Sequence, residues 1–347
     1  MTPGKVTVYD VAGEAGVSIA TVSRVLRDHP NVADGTRDRV KQAIDALGWR
    51  PNQTARALAG KTNDAIGIVF PDLSGPYYAE VIRGFERTSG HRSAVHILAT
   101  HERPSAHDHV RGLAERVDGM VVMGQTVDDE LVAELVADGL PVVLLARPAV
   151  GSTPVVATDN AGSARALADH LVDHGHDTVA LLGDPDHAPD VEERFTAMRG
   201  ALEARDVDPG EPILTRGFEV EDGAIAMIEA WEAGRRPRAV MAANDQLAAG
   251  IYRAADAIGL AIGTDLAVTG WDDHDLAGLL HPGLTTVAQP MRTLGTRAAN
   301  AVLTLLAGGQ VDSVVLETEL VVRDSCGPDC PLAPPLPHPS SRSTTGG

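Results

Sequence analysis

VYDVAGEAGVSIATVSRVL, residues 8–26, reads as two short helices joined by a tight turn. Its apolar and small residues fall where two crossing helices need them: Val11, Ala12 and Ala15 on the first, Val17 after the turn, Val22 and Val25 on the second. Gly16 stands where the chain must turn sharply, and glycine takes a left-handed backbone at least cost. Ser18 can accept a backbone N–H as N-cap of the second helix, and Thr7 with Asp10 forms a Thr-x-x-Asp start signal for the first. With that core assigned, Ile19, Ala20, Thr21, Ser23 and Arg24 point outward at the start of the second helix. There they can reach base edges or phosphates in a DNA major groove. An ordinary helical hairpin inside a larger core is the alternative this stretch leaves open.

Outward from it, DHPNVADG is a turn-rich connector, and Val40, Ile44 and Leu47 mark a third helix stopped by Gly48. Ala33 lacks an N-cap hydroxyl, a role open to Asp34. PNQTARALAGK, residues 51–61, has Asn52 as N-cap and Leu58 as its one large apolar residue; such a segment is barely helical alone and orders only against a partner. From Ala65 strands and helices alternate through AIGIVF, AVHILA, DGMVVM and PVVLLA, which predicts a parallel sheet covered by helices. After VVATD a second series runs through TVALLG, PILTRG, AVMAAN and LAVTGWD, and two such series predict two lobes. TTVAQP, a helix from Met291 and one strand, VVLETELVV, follow. The Pro/Ser-rich residues 331–347 are expected to be disordered.

At 347 residues the chain exceeds one ordinary core, so two or more domains are expected. No apolar run approaches the roughly 20 residues of a membrane span, and no signal-peptide core opens the chain, so a cytoplasmic location is expected. The formal net charge of -19 is unevenly spread: residues 1–61 hold nine Lys/Arg against six Asp/Glu, leaving 20 of the 29 basic and 42 of the 48 acidic residues to the remainder. That is +3 against -22, a small basic head on an acidic body that phosphate repels. Cys326 and Cys330 in CGPDC have half the spacing of a metal knuckle but no second ligand pair, so no metal is expected.

Taken together, TVYDVAGEAGVSIATVSRVL, TRDRVKQAIDALGWRPNQTARALAG and IGIVFPDLSGPYYAEVIRGFE resemble the lactose/galactose repressor (LacI/GalR) family of bacterial transcription regulators. The likeness continues through VDGMVV, TDNAGSA, AANDQLAAG and VTGWDDHDLAGLLHPGLTTVAQP to LVVRDSC, in the family's order. It implies a small all-α helix-turn-helix head, residues 1–50; a hinge helix and linker, 51–62; and a two-lobed α/β body like the periplasmic binding proteins, 63–326, with 327–347 as tail. It implies a homodimer whose paired heads read a palindromic duplex operator. Ile19 and Ala20 match the positions that vary with operator sequence, Arg24 the DNA-contacting arginine, and Leu58 the residue that wedges into the minor groove. Thr7, Ser18, Thr21, Ser23, Asn31, Asn52 and Ala55 complete the expected DNA-binding set.

In the body, the resemblance implies effector contacts from Asp72, Arg147, Asp159, Arg194, Asn244, Asp272 and Gln289, at strand C-terminal ends where open α/β sheets place ligands. Carboxylates, amides and arginines suit a ligand rich in hydroxyls, so a sugar or related polyol is the expected effector. Taken singly, Asp159 and Asp272 can equally be helix caps. Ala146 stands where the family often has aspartate, and Gly13 occupies the middle of the first helix. The expectation is a ligand-responsive repressor without a cofactor. A pure solute-binding protein is the runner-up, disfavoured by the head and hinge. An enzyme is third: no nucleophile elbow, Walker loop or His/Cys metal cluster is present, and His101, His107, His109, His174 and His176 read as solvated helix ends and faces.

Overall fold

The computed structural model describes residues 6–26, 32–47, 49, 63–90, 93–101, 103–186 and 188–327. The chain opens with α1 (Val8–Glu14), α2 (Ile19–Leu26) and α3 (Asp34–Leu47). The Asp10 carboxylate accepts from the backbone N–H and the hydroxyl of Thr7, each at 2.7 Å, which fixes where α1 begins. Gly16 takes φ +64°, and Ser18 Oγ accepts from the Thr21 N–H at 3.2 Å, so turn and N-cap form as the spacing predicts. Val11, Ala12, Ala15, Val22, Val25 and Val40 are buried together, with Val17, Ile44 and Leu47 packed at the margin. Trp49, which periodicity does not single out, closes this core. At the start of α3 the Ala33 carbonyl accepts from Thr36 and Arg37, so Ala33 sits at the N-cap and Asp34 in the first turn, where a carboxylate meets the helix's positive end.

The chain divides into two compact units, one of Met1–Leu73, Ile82–Val156 and Arg292–Val314, the other of Ser74–Val81, Ala157–Met291 and Val315–Gly347. The first carries a six-stranded sheet in the order β10-β5-β4-β3-β1-β2. Its strands are β1 (Ala65–Phe70), β2 (Ala94–Ala99), β3 (Gly119–Met123), β4 (Val142–Leu145), β5 (Val155–Thr158) and β10 (Val314–Leu316), the first five successively parallel across the sheet. Helices α4 (Pro76–Ser89), α5 (Ala106–Ala114) and α6 (Asp129–Ala137) connect them in turn. Strands β1, β3 and β4 are buried throughout, which explains why they read as unbroken apolar runs.

The second unit has a three-stranded parallel sheet of β6 (Val179–Leu182), β7 (Ala239–Ala242) and β8 (Ala267–Thr269). β9 (Thr286–Ala288) pairs antiparallel with β11 (Glu319–Val321). Its long helices are α7 (Asn160–Asp173), α8 (Pro189–Glu203), α9 (Val220–Glu232) and α10 (Asp245–Ile258); α11 (Asp275–Leu279) is one short turn, and α12 (Met291–Leu306) leads back to the first unit. Helices α9 and α10 cross so closely that a Cβ on Gly223 would lie 2.3 Å from the Leu247 carbonyl oxygen. That close crossing sets the height of the α10 N-terminus.

Two sequence expectations change. PILTRG forms no strand: Ile213 makes a single bridge to Leu182, donating to the Leu181 carbonyl at 2.7 Å and accepting from Gly183 at 3.0 Å, because β6 itself ends at Leu182 and offers no further backbone to pair. VVLETELVV is two strands rather than one, β10 joining the six-stranded sheet and β11 pairing with β9. The polar Glu317 and Thr318 lie at the break, where the Thr318 hydroxyl donates to the Asp159 carbonyl at 2.8 Å.

Gly13 lies inside α1 with no atom within 4 Å of where a Cβ would sit. Gly13→Ala should therefore stabilise the three-helix head by about 0.5–1 kcal/mol through backbone entropy alone. Slower hydrogen exchange at α1 amides would register the gain; unchanged or faster exchange would contradict it.

Candidate functional site

Two groups of side chains stand out, one on the head and one in the second unit. On α2, Ile19, Ala20 and Arg24 are exposed and Thr21 and Ser23 half-buried, while Val22 and Val25 face the core. One face of this helix is thus free for a partner. The Ser18 and Thr21 hydroxyls lie 2.9 Å apart, so each keeps further hydrogen-bonding capacity while the pair holds the first turn. Thr7 is exposed beside Asp10, whose carboxyl is held below its usual range by the Thr7 hydroxyl and backbone. Tyr9, which the sequence reading passed over, is 70% exposed on α1. An aromatic ring so exposed on a three-helix unit was a signal available from its outward register on that helix. Asn31, Asn52, Ala55 and Leu58 lie outside the described residues.

In the second unit the strand ends converge on Arg194, which is only 4% exposed. Its Nε donates to Asn160 Oδ1 at 3.0 Å, one terminal nitrogen to the Ala243 carbonyl at 3.1 Å and the other to Asp190 at 2.7 Å. The guanidinium carbon lies 4.6 Å from the centre of the Trp271 ring, a cation–π contact. Asn160 is itself held by donating to Glu193 at 3.0 Å. Three of the five guanidinium N–H groups thus have acceptors among the described residues.

A second polar chain lies in the same unit. The Thr158 hydroxyl donates to Gln289 Oε1 at 3.0 Å, and Gln289 Nε2 donates to Asp272 Oδ1 at 2.6 Å. All three residues are buried. Burial and the negative charges of Asp190 and Asp272 push the Tyr77 hydroxyl above the usual phenol range, which ties the start of α4 to this group. Tyr77, Asn160, Asp190, Trp271 and Thr158 are thus neighbours of the site that sequence reasoning did not name. Their types gave no signal; only the alternation that puts strand ends on one side pointed to them.

The other expected residues are placed differently. Asp159 is the exposed N-cap of α7, accepting from Gly162 at 2.9 Å, whereas Asp272 caps no helix and is buried. Asn244 is the N-cap of α10, accepting from Leu247 at 2.8 Å and donating to the Phe218 carbonyl at 3.1 Å. Asp72 and Arg147 belong to the first unit. There Arg147 donates to the Val127 carbonyl at 3.0 Å and to Asp129 at 2.5 Å, and Asp72 accepts from the Leu73 N–H at 2.5 Å. His176 is not a solvated end: its Nε2 lies 2.9 Å from the carbonyl oxygen of Cys326, and burial with two neighbouring imidazoles pushes His170 down to about 4. Among the described residues no group of three or more His, Cys, Asp and Glu side chains is arranged to hold a metal, and no helix is long and apolar enough to cross a membrane.

A model of the lacI family of bacterial regulatory proteins matches residues 7–52, and one of the periplasmic binding protein-like domain matches residues 168–326. Catabolite control protein A of Priestia megaterium is 32% identical over 318 residues, spanning 90% of this chain and 96% of the relative. The chain belongs to the LacI family. A solved complex of the transcriptional regulator CelR with cellobiose matches at a TM-score of 0.69 and 31% identity, covering 92% of this chain and 99% of that one. The lac repressor dimer bound to operator and the anti-inducer ONPF matches at a TM-score of 0.69 and 28% identity, covering 93% and 99%. The LacI-family head and α/β body expected from the sequence are therefore both present in this chain.

Asp245 lies deeper than the Asp272–Gln289 pair. Its Oδ1 accepts from the Thr286 hydroxyl at 2.6 Å and its Oδ2 from the His274 N–H at 2.8 Å. Burial first, then the charge of Asp272, push it from 3.8 up to about 7. The folded chain therefore holds a proton there that the unfolded chain releases, so stability is full below about pH 4 and declines as pH rises towards 7. Asp245→Asn, with its amide donating to Thr286, should flatten that decline. Thermal melting of both proteins from pH 4.5 to 8 checks it; parallel curves would rule out a buried proton on Asp245.

Proposed function

We propose that this LacI-family protein is a sugar-responsive repressor, with residues 1–50 as the DNA-reading head, 51–62 as the hinge and 63–326 as the effector-binding body. The observation that carries the reading is the pairing of an exposed α2 face on a basic head with a buried, hydroxyl-matched polar group in an acidic body. On this reading the protein is a homodimer. Two heads place Ile19, Ala20 and Arg24 in successive major grooves of a palindromic operator, and Leu58 wedges into the minor groove at its centre. Thr7, Ser18, Thr21, Ser23, Asn31, Asn52 and Ala55 support phosphate and base contacts. In the second unit Arg194 and Asp272 hold the effector through charge-assisted hydrogen bonds and Gln289 through its neutral amide, with Asp159 and Asn244 at the neighbouring helix starts. That a similar protein is solved with cellobiose and another with operator supports both halves of the reading.

Selection of bound duplexes from random DNA should return a palindrome, with affinity falling steeply as salt rises, because the head displaces counterions. Arg24→Ala should weaken binding to that duplex by about 1–3 kcal/mol if the arginine reads a base pair. An unchanged Kd would mean that another face enters the groove.

Gln289→Ala and Asp272→Asn should bind the duplex as the parent does yet need more effector to respond. Each leaves a polar group of the ligand unmatched, at about 1–3 kcal/mol, or roughly 5–150-fold in effector concentration. Operator affinity titrated against effector is the measurement. Loss of DNA binding without effector, with the body folded, would refute the assignment, and so would an unaltered response.

A further inference from the structure

The segment joining β8 to α11 turns through two successive left-handed residues, Asp272 at φ +115° and Asp273 at φ +54°. Neither is glycine, so the conformation is strained and must be held from outside. Asp273 is held by Arg323 at 2.7 Å, and the next residue, His274, is held through its N–H by Asp245. The His274 side chain then folds back on Asp272. Its Nε2 lies 3.6 Å from Asp272 Oδ2, is buried, and has no hydrogen-bond partner among the described residues. A shift of roughly 0.5 Å closes that gap to a hydrogen bond.

Oδ1 of the same carboxylate is the atom that Gln289 holds. The two oxygens of Asp272 therefore face an amide donor and an imidazole, and each keeps a lone pair for a ligand hydroxyl. We propose that protonated His274 is the positioning residue of the effector site, locking the Asp272 carboxylate against Gln289 so that effector affinity falls as the imidazole loses its proton. This rests on the effector-site reading above. Besides Asp272, the titratable groups around the imidazole are the carboxyl groups of Asp245 at the start of α10, which keeps its proton up to about 7, and of Glu80 on α4. Burial opposes a charge on His274, but the contact with Asp272 and the negative charge around the ring, that of Asp272 first, outweigh it, and the imidazole is raised above its ordinary 6.5. A neutral imidazole would leave this buried acidic pocket without its nearest cation, loosening the carboxylate that the ligand must find in place. The charged form dominates below the raised midpoint, so affinity is full on the acid side and drops above it.

Two measurements on the intact protein test this. The first needs no ligand: the His274 ring-carbon NMR resonance, assigned by its loss in His274→Gln, is titrated in the parent and in Asp272→Asn. A midpoint above 6.5 that drops in Asp272→Asn supports the contact; a midpoint that ignores Asp272 overturns the proposal. The second is calorimetric titration with D-ribose, D-glucose, D-galactose, maltose and cellobiose from pH 5.5 to 9. For any sugar that binds, affinity should fall up to about tenfold per pH unit above the midpoint, the limit for one linked proton, and His274→Gln should flatten that slope. A sugar bound with the same affinity throughout overturns the proposal. If no sugar binds while the midpoint still responds to Asp272, the sugar reading fails and the positioning contact stands.

Discussion

A guanidinium shut away from water must find its acceptors inside the fold, because an unmatched buried charge is strongly destabilising. Arg194 meets that condition by gathering the start of α7, the first turn of α8, the residue after β7 and the ring that follows β8 around one side chain. The elements of the second unit are thereby fixed at their strand ends, where parallel sheets leave loops free to vary. Hydrogen bonds of fixed direction set the spacing more tightly than apolar packing alone would. The same constraint runs through Thr158, Gln289 and Asp272, where the threonine hydroxyl donates to the glutamine and the glutamine amide to one carboxylate oxygen. A polar wall built in this way is organised by the fold itself, so on the proposed reading little ordering would remain to be done on binding.

The head works under the opposite constraint. Its apolar core is small, and α1 and α2 have 7 and 8 residues, too short to be stable alone. Local hydrogen bonds of Thr7, Asp10, Ser18 and Thr21 therefore carry much of the task of starting each helix. Ser18 and Thr21 serve the fold and belong to the proposed DNA-facing set at once. Removing either hydroxyl would disturb both functions together, whereas Arg24 is exposed and separates them.

The head was readable in the sequence because its signals are local: a glycine in a left-handed turn, two N-terminal polar caps and apolar residues at helical spacing. The parallel strands were readable because burial on both faces makes them continuous apolar runs. What the sequence concealed depends on distant partners. Nothing near PILTRG tells that its backbone meets β6 only at Ile213, nor that Asp159 caps a helix while Asp272 is buried. Trp271 and His274 are ordinary residues in a loop until β9, α10 and Arg323 close around them. The family resemblance supplied Arg194, Asp272 and Gln289 as a set, but their hydrogen-bond partners came only from the fold.

Arg323 has one further implication. It pairs with Asp273 and donates to the Leu284 carbonyl, while Ser325 accepts from Thr285 and donates to Val268. The loop bearing Asp272 is thus completed by residues some 50 positions later in the chain. At roughly 5–20 residues per second on the ribosome, that portion of the protein waits several seconds after its own synthesis before its last struts emerge. The three-helix head, whose described contacts are all local, has no such delay. A nascent chain can therefore hold a finished head well before it holds a finished second unit, and truncation upstream of residue 323 would leave the first without the second.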